Sequence, residues 1–296
     1  MADSNMRIEW VDAAKGIGIL MVMFGHNWLD WKYCYYFYSF HMPLFFILAG
    51  YTFSDRRAPF DFIKQKAKVL IIPYVLFVCC YLIFYGVLSH THGGDYDMGG
   101  KILAFLMQQR HTYLWFLPVL FLSELCVYVL SRAKLVTNIK LGVILFVLAL
   151  LHYLTIYTKC VNLIWNIDLV PMASVYIILG ILYKRVSVKW TFENNKWIAG
   201  LLFCFSLLVS TINFVVWDRV DIWGNSYGCL PLLLYGLHRM AIEIFFIVWN
   251  KLGIPYDGIS CLSLCMAVCN VLLTCVLLYP VVSFINRRCP WILGKF

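Results

Sequence analysis

Apolar runs of about 20 residues recur along almost the whole chain, and this is the length that an α-helix needs to cross a bilayer. Because backbone groups in lipid must satisfy their own hydrogen bonds, such runs fold as helices. Only 13% of the residues are charged, against about a quarter in soluble domains. The sequence therefore predicts an all-α polytopic membrane helical bundle, in a single domain over residues 1–296 and surrounded by the lipid bilayer. We place the predicted spans at 11–29, 35–54, 69–89, 113–131, 139–157, 164–183, 197–217, 227–249 and 260–285.

The lysines and arginines set the predicted orientation, since cytoplasmic loops of membrane proteins are enriched in both. They concentrate after the second, fourth and sixth predicted spans, which places these loops and the N-terminus in the cytoplasm. The tail departs from this pattern, because nine spans leave Arg287, Arg288 and Lys295 on the outer side. A tenth span or a re-entrant segment would remove the conflict, so we expect about 9 to 10 transmembrane helices. The net charge of +9 follows from the basic loops and does not indicate a nucleic-acid partner.

The first two apolar segments carry ionisable side chains that lipid disfavours. Lys15 and His26 lie eleven positions apart, close to three helical turns, so they share one helix face about 16 Å apart. Asp12 lies one turn before Lys15, within pairing range, and His41 opens the second segment. Taken alone, Lys15 could be a lysine whose ammonium reaches the membrane interface, and His26 could be a hydrogen-bonded histidine in the packing between helices. Together they indicate function, because ionisable groups inside membrane helices are rare and usually functional. We expect His26 and His41 to line one cavity.

The loop before the third predicted span is the most basic stretch of the chain. It contains Lys64, Lys66 and Lys68 directly before an apolar run. One interpretation is a topology signal that contacts anionic lipid, worth about 1 kcal/mol per cation. The other is a site that binds the phosphates of a cytoplasmic ligand. The loop by itself favours the lipid interpretation.

Three further residues are candidates for a polar site. Glu124 lies inside the fourth predicted span, Trp115 lies at its start, and Asp168 lies at the head of the sixth. A buried carboxylate could orient an imidazole or accept a hydrogen bond from a sugar hydroxyl, and equally it could cap a helix or pair with a lysine. The 12 cysteines include no CxxC pair and have no histidine at metal-ligand spacing, so we expect no metal site.

These residues together resemble the acyltransferase-3 family of integral membrane O-acyltransferases. The resemblance covers about 1–225, and its most specific part is the helix-one signature of a basic residue, ten intervening residues and a histidine, here Lys15 and His26. The other matching positions are Asp12, Gly16, the stretch from Phe40 to Phe46, Gly50-Tyr51, the basic stretch before Pro73-Tyr74, and Trp115-Phe116-Leu117.

The resemblance implies transfer of an acetyl group from cytoplasmic acetyl-CoA to a carbohydrate or glycolipid acceptor on the other side of the membrane. It implies that His26 acts in transfer, and that Lys15 and some of Lys64, Lys66 and Lys68 bind the donor. The arginine pair of the family is not cleanly present here, and a lysine binds phosphate as a point charge. We assign His26, His41 and Glu124 as catalytic, and Asp12, Trp115 and Asp168 as substrate-binding. We expect a bacterial inner membrane and a role in modifying cell-envelope polysaccharide.

The C-terminal region departs from the family pattern. After Tyr227-Gly228 the chain reaches Leu237-His238 within ten residues, so residues 227–296 are shortened relative to the family. Two other hypotheses therefore stay open. One is a proton-coupled membrane transporter, since histidine, lysine and glutamate also form proton relays in membranes. The other is an inactive relative with a structural role.

Overall fold

A computed structural model describes residues 8–27, 29, 31–92, 97–108, 114–136, 140–158, 163–187, 204, 208 and 232–289, with backbone alone at 31–40, 92, 232–239 and 286. Every regular element within these ranges is a helix, as predicted. The α-helices are α1 Glu9–Gly25, α2 Trp31–Tyr51, α3 Pro59–Lys66, α4 Ile72–His92, α5 Met98–Met107, α6 Phe116–Arg132, α7 Leu141–Tyr157, α8 Val170–Ser187, α9 Leu232–Lys251 and α10 Cys261–Arg288.

Two short segments of other helical geometry complete the described fold. A π-helical segment, Ala67–Ile71, joins α3 to α4, and a 3₁₀ segment, Ile164–Leu169, leads into α8. The 3₁₀ segment contains two residues with positive φ, Trp165 and Asn166. The side chain of Asn166 is completely buried, and its amide donates to the carbonyl of Gln108, 2.7 Å away.

Three described stretches are long and apolar enough to cross a membrane: Pro59–Thr91, Ile164–Ser187 and Cys261–Ile285. Shorter apolar helices lie at His41–Tyr51, Met98–Met107 and Leu141–Tyr157. These helices support an integral membrane protein, whereas the number of 9 to 10 spans stays a prediction. The predicted span at 197–217 falls outside the described residues, apart from 204 and 208.

Two helices occur where loops were predicted. The basic loop forms α3, which begins with Pro59 after the extended Ala58; proline is favoured there because its fixed φ suits the first helical position. The loop between the third and fourth predicted spans contains α5, whose N-cap Asp97 accepts a hydrogen bond from the amide of Gly100 at 2.9 Å. Pro43 lies inside α2, which runs as one helix from Trp31 to Tyr51.

The helices α9 and α10 form an antiparallel pair whose connecting turn is stabilised by its own side chains. Ser260 is the N-cap of α10, and its hydroxyl accepts from the amide of Ser263 at 3.2 Å. The Asp257 carboxylate accepts from the amides of Ser260 and Ile259 at 2.8 and 2.9 Å. These two amides lower the pKa of Asp257 well below its ordinary value, because they favour the charged carboxylate.

The centre of the fold is a close crossing of α2 and α8 that two glycines permit. A Cβ atom on Gly50 would overlap the carbonyl oxygen of Ile177, and one on Gly180 would overlap the carbonyl oxygen of Ile47. The two backbones therefore touch in both directions, as small residues allow in membrane helix pairs. The other face of α8 packs against α6 and α7. Through this crossing, α2 is held against the rest of the bundle.

The crossing can be tested by adding a single methyl group. Gly50→Ala and Gly180→Ala should each destabilise the protein by about 1–3 kcal/mol or more, because the added Cβ meets rigid backbone and forces the helices apart. Thermal unfolding in detergent would measure this loss. Gly142→Ala is the matched control, since a Cβ there meets nothing within 4 Å. Equal midpoints for Gly180→Ala and Gly142→Ala would contradict the close crossing.

Candidate active site

An ion pair between Lys66 and Glu124 joins α3 to α6. The Lys66 ammonium lies 2.5 Å from a carboxylate oxygen of Glu124, and the Glu124 side chain is only 4% exposed. A buried carboxylate is costly unless a cation or hydrogen bonds compensate it. Lys66 supplies this compensation while keeping 23% of its side chain exposed. One charge of the pair is therefore buried and the other reaches the surface of the bundle.

Lys15 on α1 reaches the same place, and the three charged side chains line one cavity of about 350 Å³. The charges that act on Lys15 are those of Asp12, Lys66 and Glu124. The cavity is within the usual size range of small-molecule sites, which combine apolar walls with a few polar groups. The remaining lining residues are mostly apolar: Phe45, Ala49, Thr52, Val69, Leu70, Phe116, Leu117 and Leu120. The cavity thus has two cations, one carboxylate and a largely apolar wall.

The π-helical segment shapes this cavity directly. It starts immediately after Lys66 and contributes Val69 and Leu70 to the wall. Aromatic contacts hold α3 in place before it, because the Phe62 ring stacks on the Tyr128 ring of α6 with centroids 4.2 Å apart. π-Helical turns often mark functional sites, where they change the direction of the following side chains.

The two histidines are not among the residues that line the cavity. His26 is the C-cap of α1 and His41 lies in α2, and each is only 3% exposed. From Lys15 to His26, and equally from Thr52 to His41, the helix rise amounts to about 16 Å. His41 also lies one turn before Phe45, on the same helix face, and Phe45 lines the cavity. Along their helices, His26 is therefore about 16 Å from Lys15 and His41 about 16 Å from Thr52, and neither histidine is part of the cavity lining.

Comparison with known proteins gives the family. The sequence model of the acyltransferase-3 family, described as an acyltransferase domain, matches residues 8–239. This chain belongs to the acyltransferase-3 family. The match confirms the resemblance predicted from Lys15, His26 and the following motifs, and it supports a membrane acyltransferase in general. No curated protein and no solved structure matched the chain.

The acyltransferase brings together only some of the residues assigned to donor binding. Lys15 and Lys66 line the cavity, whereas Lys64 is exposed and Lys68 is half-buried outside its lining. The reason is helical geometry, since residues two apart on a helix point in nearly opposite directions. Asp12 lies half-buried one turn before Lys15, as expected from the spacing.

Glu124 lies with the cations at the charged end of the cavity. Its described contact is with Lys66 rather than with a histidine. A catalytic role for Glu124 stays a prediction, and pairing with a lysine was one of the alternatives that the sequence left open.

Trp115 and Asp168 lie away from the cavity lining. The Trp115 side chain is completely buried in the core of the acyltransferase, edge-on to Phe116. The Asp168 carboxylate accepts from the amide of Leu163 at 3.3 Å, and its backbone carbonyl lies 3.1 Å from Nδ1 of His152. Their substrate-binding roles stay predictions, since the contacts seen here are with the protein itself.

Sequence reasoning missed two asparagines near the histidine end. Asn27 and Asn270 are completely buried, and the amide of Asn270 donates to the side-chain oxygen of Asn27 at 2.8 Å. The signal was present, because each is an amide within or beside an apolar run and a buried amide needs a partner. Their pairing was not predictable, because 243 positions separate them in the chain.

The Lys66–Glu124 pair predicts strong coupling between two substitutions. Lys66→Met should destabilise the acyltransferase by about 1–3 kcal/mol, because the Glu124 carboxylate is left buried without compensation. Lys66→Met combined with Glu124→Gln should recover much of that loss, since both charges are removed. Thermal unfolding of the two single variants and the double variant in detergent would measure the coupling. Lys64→Met is the control, because Lys64 is exposed on the same helix. Additive effects would show that the pair is not coupled.

Proposed function

We propose that this acyltransferase moves an acetyl group from cytoplasmic acetyl-CoA to a hydroxyl of an extracytoplasmic carbohydrate. The observation that supports the proposal most is the cavity, in which Lys15 and Lys66 line one space with largely apolar walls. The chain that forms this cavity belongs to an acyltransferase family. An apolar space with cations at one end suits a ligand that has a charged end and an uncharged arm. Acetyl-CoA has this chemistry, with phosphates toward one end and a thioester at the other.

The donor phosphates would bind at the charged end. Two lysines attract phosphate as point charges, and the Glu124 carboxylate partly offsets their charge. The exposed Lys64 is suited at most to weak contact with phosphate at the mouth, because surface charges are screened by salt. The uncharged arm would run along the apolar wall toward Phe45, which places the thioester at the end nearest the histidines.

The reaction proposed at the histidine end is direct transfer. The His26 imidazole takes the proton of an acceptor hydroxyl, and the hydroxyl oxygen attacks the thioester carbonyl. The bond from carbon to sulfur then breaks, and the departing thiolate of coenzyme A takes the proton from the imidazolium. The products are an acetyl ester of the carbohydrate and free coenzyme A. An alternative order, in which His26 is acetylated first, uses the same groups. His41 would orient the reacting groups.

The acceptor and the location are inferred from the family. Its members modify carbohydrates across a membrane, so a polysaccharide or a glycolipid of the bacterial cell envelope is the proposed acceptor. The apolar helices support the integral membrane location. An N-terminus in the cytoplasm, as the distribution of lysine and arginine predicts, would place Lys15 toward the cytoplasmic donor and His26 toward the outer acceptor.

Acetyl-CoA binding should depend on Lys66 much more than on Lys64. Lys66→Gln should weaken acetyl-CoA binding about tenfold or more, because a charge-assisted contact is worth roughly 1.5–3 kcal/mol. Lys64→Gln should change it little, and Glu124→Gln should tighten it, because the competing carboxylate is neutralised. Calorimetric titration of the purified variants with acetyl-CoA would measure the three effects. Unchanged acetyl-CoA binding in a folded Lys66→Gln protein would instead favour the interpretation of the basic stretch as a lipid contact.

Transfer should depend on His26. His26→Ala should lower the rate by about 10²–10⁴-fold, the usual effect of losing a positioned general base, and should leave acetyl-CoA binding largely intact. Lys15 lies about 16 Å away along α1, and Lys66 lines the same cavity, to which His26 does not contribute, so binding should be spared. Release of free thiol from acetyl-CoA in the presence of a carbohydrate acceptor would report the rate. His90→Ala, at an exposed histidine of α4, is the control. Near-full transfer in folded His26→Ala would overturn this mechanism.

A further inference from the structure

The imidazole of His26 lies at the end of α1, where a helix is least constrained. The amide of His26 still donates to the carbonyl of Val22 at 3.0 Å, but the next amide, that of Asn27, turns back to Phe24 at 3.1 Å. Carbonyl groups in the last turn of a helix lack intrahelical partners, and helix ends fray. The position of this imidazole therefore depends on what holds the residue that follows it.

Asn27 closes that last turn. Its side-chain amide donates to the carbonyl of Met23 at 2.8 Å, which satisfies one of the terminal carbonyl groups. Its own backbone carbonyl accepts from the hydroxyl of Tyr256, in the turn between α9 and α10. The Asn27 side chain is completely buried, so water does not compete for these bonds. Two separate contacts thus fix the residue next to His26.

A third contact on Asn27 comes from the last helix. Asn270 of α10 donates to the side-chain oxygen of Asn27 at 2.8 Å and accepts from the indole of Trp249 at 2.8 Å. Because an indole N–H can only donate, Asn270 must turn its oxygen to Trp249 and its NH₂ group to Asn27. Asn27 must then present its oxygen to Asn270 and its NH₂ group to Met23. The direction of every bond in this chain is set by the groups at its two ends.

We propose that Asn270, acting through Asn27, is a positioning residue for the His26 imidazole. This inference rests on the proposed function, in which His26 takes a proton from the acceptor. Both amides are buried, where hydrogen bonds are stronger than in water, and together they hold the end of α1 against α10. Asn270 lies beyond residues 8–239, the part that matches the family. The last helix therefore supports the chemistry without itself touching a substrate.

Asn270→Leu tests the proposal, because leucine is similar in size and removes both hydrogen bonds. In the protein in detergent, kcat for transfer should fall about 10–100-fold, by analogy with the loss of a hydrogen bond that supports a metal-binding histidine. KM for acetyl-CoA should stay almost unchanged, because the residues that line the cavity include none from α10.

Thr274→Val is the matched control for this test. Thr274 lies one turn further along α10, is completely buried, and its hydroxyl has no hydrogen-bond partner among the described residues. Removal of the Thr274 hydroxyl should leave kcat unchanged. An Asn270→Leu protein that folds and matches Thr274→Val in kcat would overturn the proposal.

A second measurement separates this inference from the proposed function. Diethyl pyrocarbonate modifies imidazoles, and mass spectrometry can follow its reaction at His26 without any transfer taking place. Asn270→Leu should speed modification of His26 several-fold and Thr274→Val should not. If the wild-type protein transfers no acetyl group but the two variants still differ in this way, the proposed function is refuted and the positioning contact is supported. If the wild-type protein is active but the two variants are modified at His26 at the same rate, the proposed function is supported and the positioning contact is refuted.

A milder variant covers the case in which Asn270→Leu fails to fold. Trp249→Phe keeps the aromatic ring and removes only the N–H that orients the Asn270 amide. It should lower kcat less than Asn270→Leu, and KM for acetyl-CoA should not change. Unchanged kcat in Trp249→Phe, with unchanged modification of His26, would overturn the proposal even without the leucine variant.

Discussion

A carboxylate inside an apolar bundle must be neutralised or paired, and the described structure meets this constraint at Glu124 with Lys66. The pair fixes α3 against α6 and keeps an ammonium at the edge of a cavity that would otherwise be apolar. Lys15 then adds a second cation to the same space. The result is a cavity with one cation in excess, which suits an anionic ligand. The remaining features of the site depend on how the helices hold these three groups together.

The crossing of α2 and α8 positions the part of the cavity wall that α2 contributes. Gly50 follows Ala49 and lies two residues before Thr52, and both of these residues line the cavity, so the contact that brings the two backbones together also places this part of the wall. Toward the N-terminal end of α2, the same helix carries Phe45 and then His41. One rigid helix thus connects the crossing, the wall and a histidine. Because interiors are close-packed and transmit strain, a change at the crossing would move all three together.

How much of this site was predictable depends on the range of the interactions. The alignment of Lys15 with His26 follows from helical periodicity alone, and the structure keeps both on α1. The choice of Lys66 among neighbouring lysines was not predictable, because it requires that the basic stretch form a helix followed by a π-helical segment. The contact of Asn27 with Asn270 lies further out of reach, since apolar periodicity says which face is buried but not which distant helix meets it.

The directed chain of hydrogen bonds from Trp249 through two amides to Met23 has a consequence for how such a protein can change over time. Each amide can point only one way, so an aspartate or a leucine at either position leaves its neighbour facing the wrong group. Neither asparagine can be replaced alone without breaking the bond between them, whereas a simultaneous exchange of both for apolar residues removes that mismatch and leaves the indole of Trp249 and the carbonyl of Met23 as the groups that lose a partner. In related sequences that retain both helices, we therefore expect positions 27 and 270 to vary as a pair.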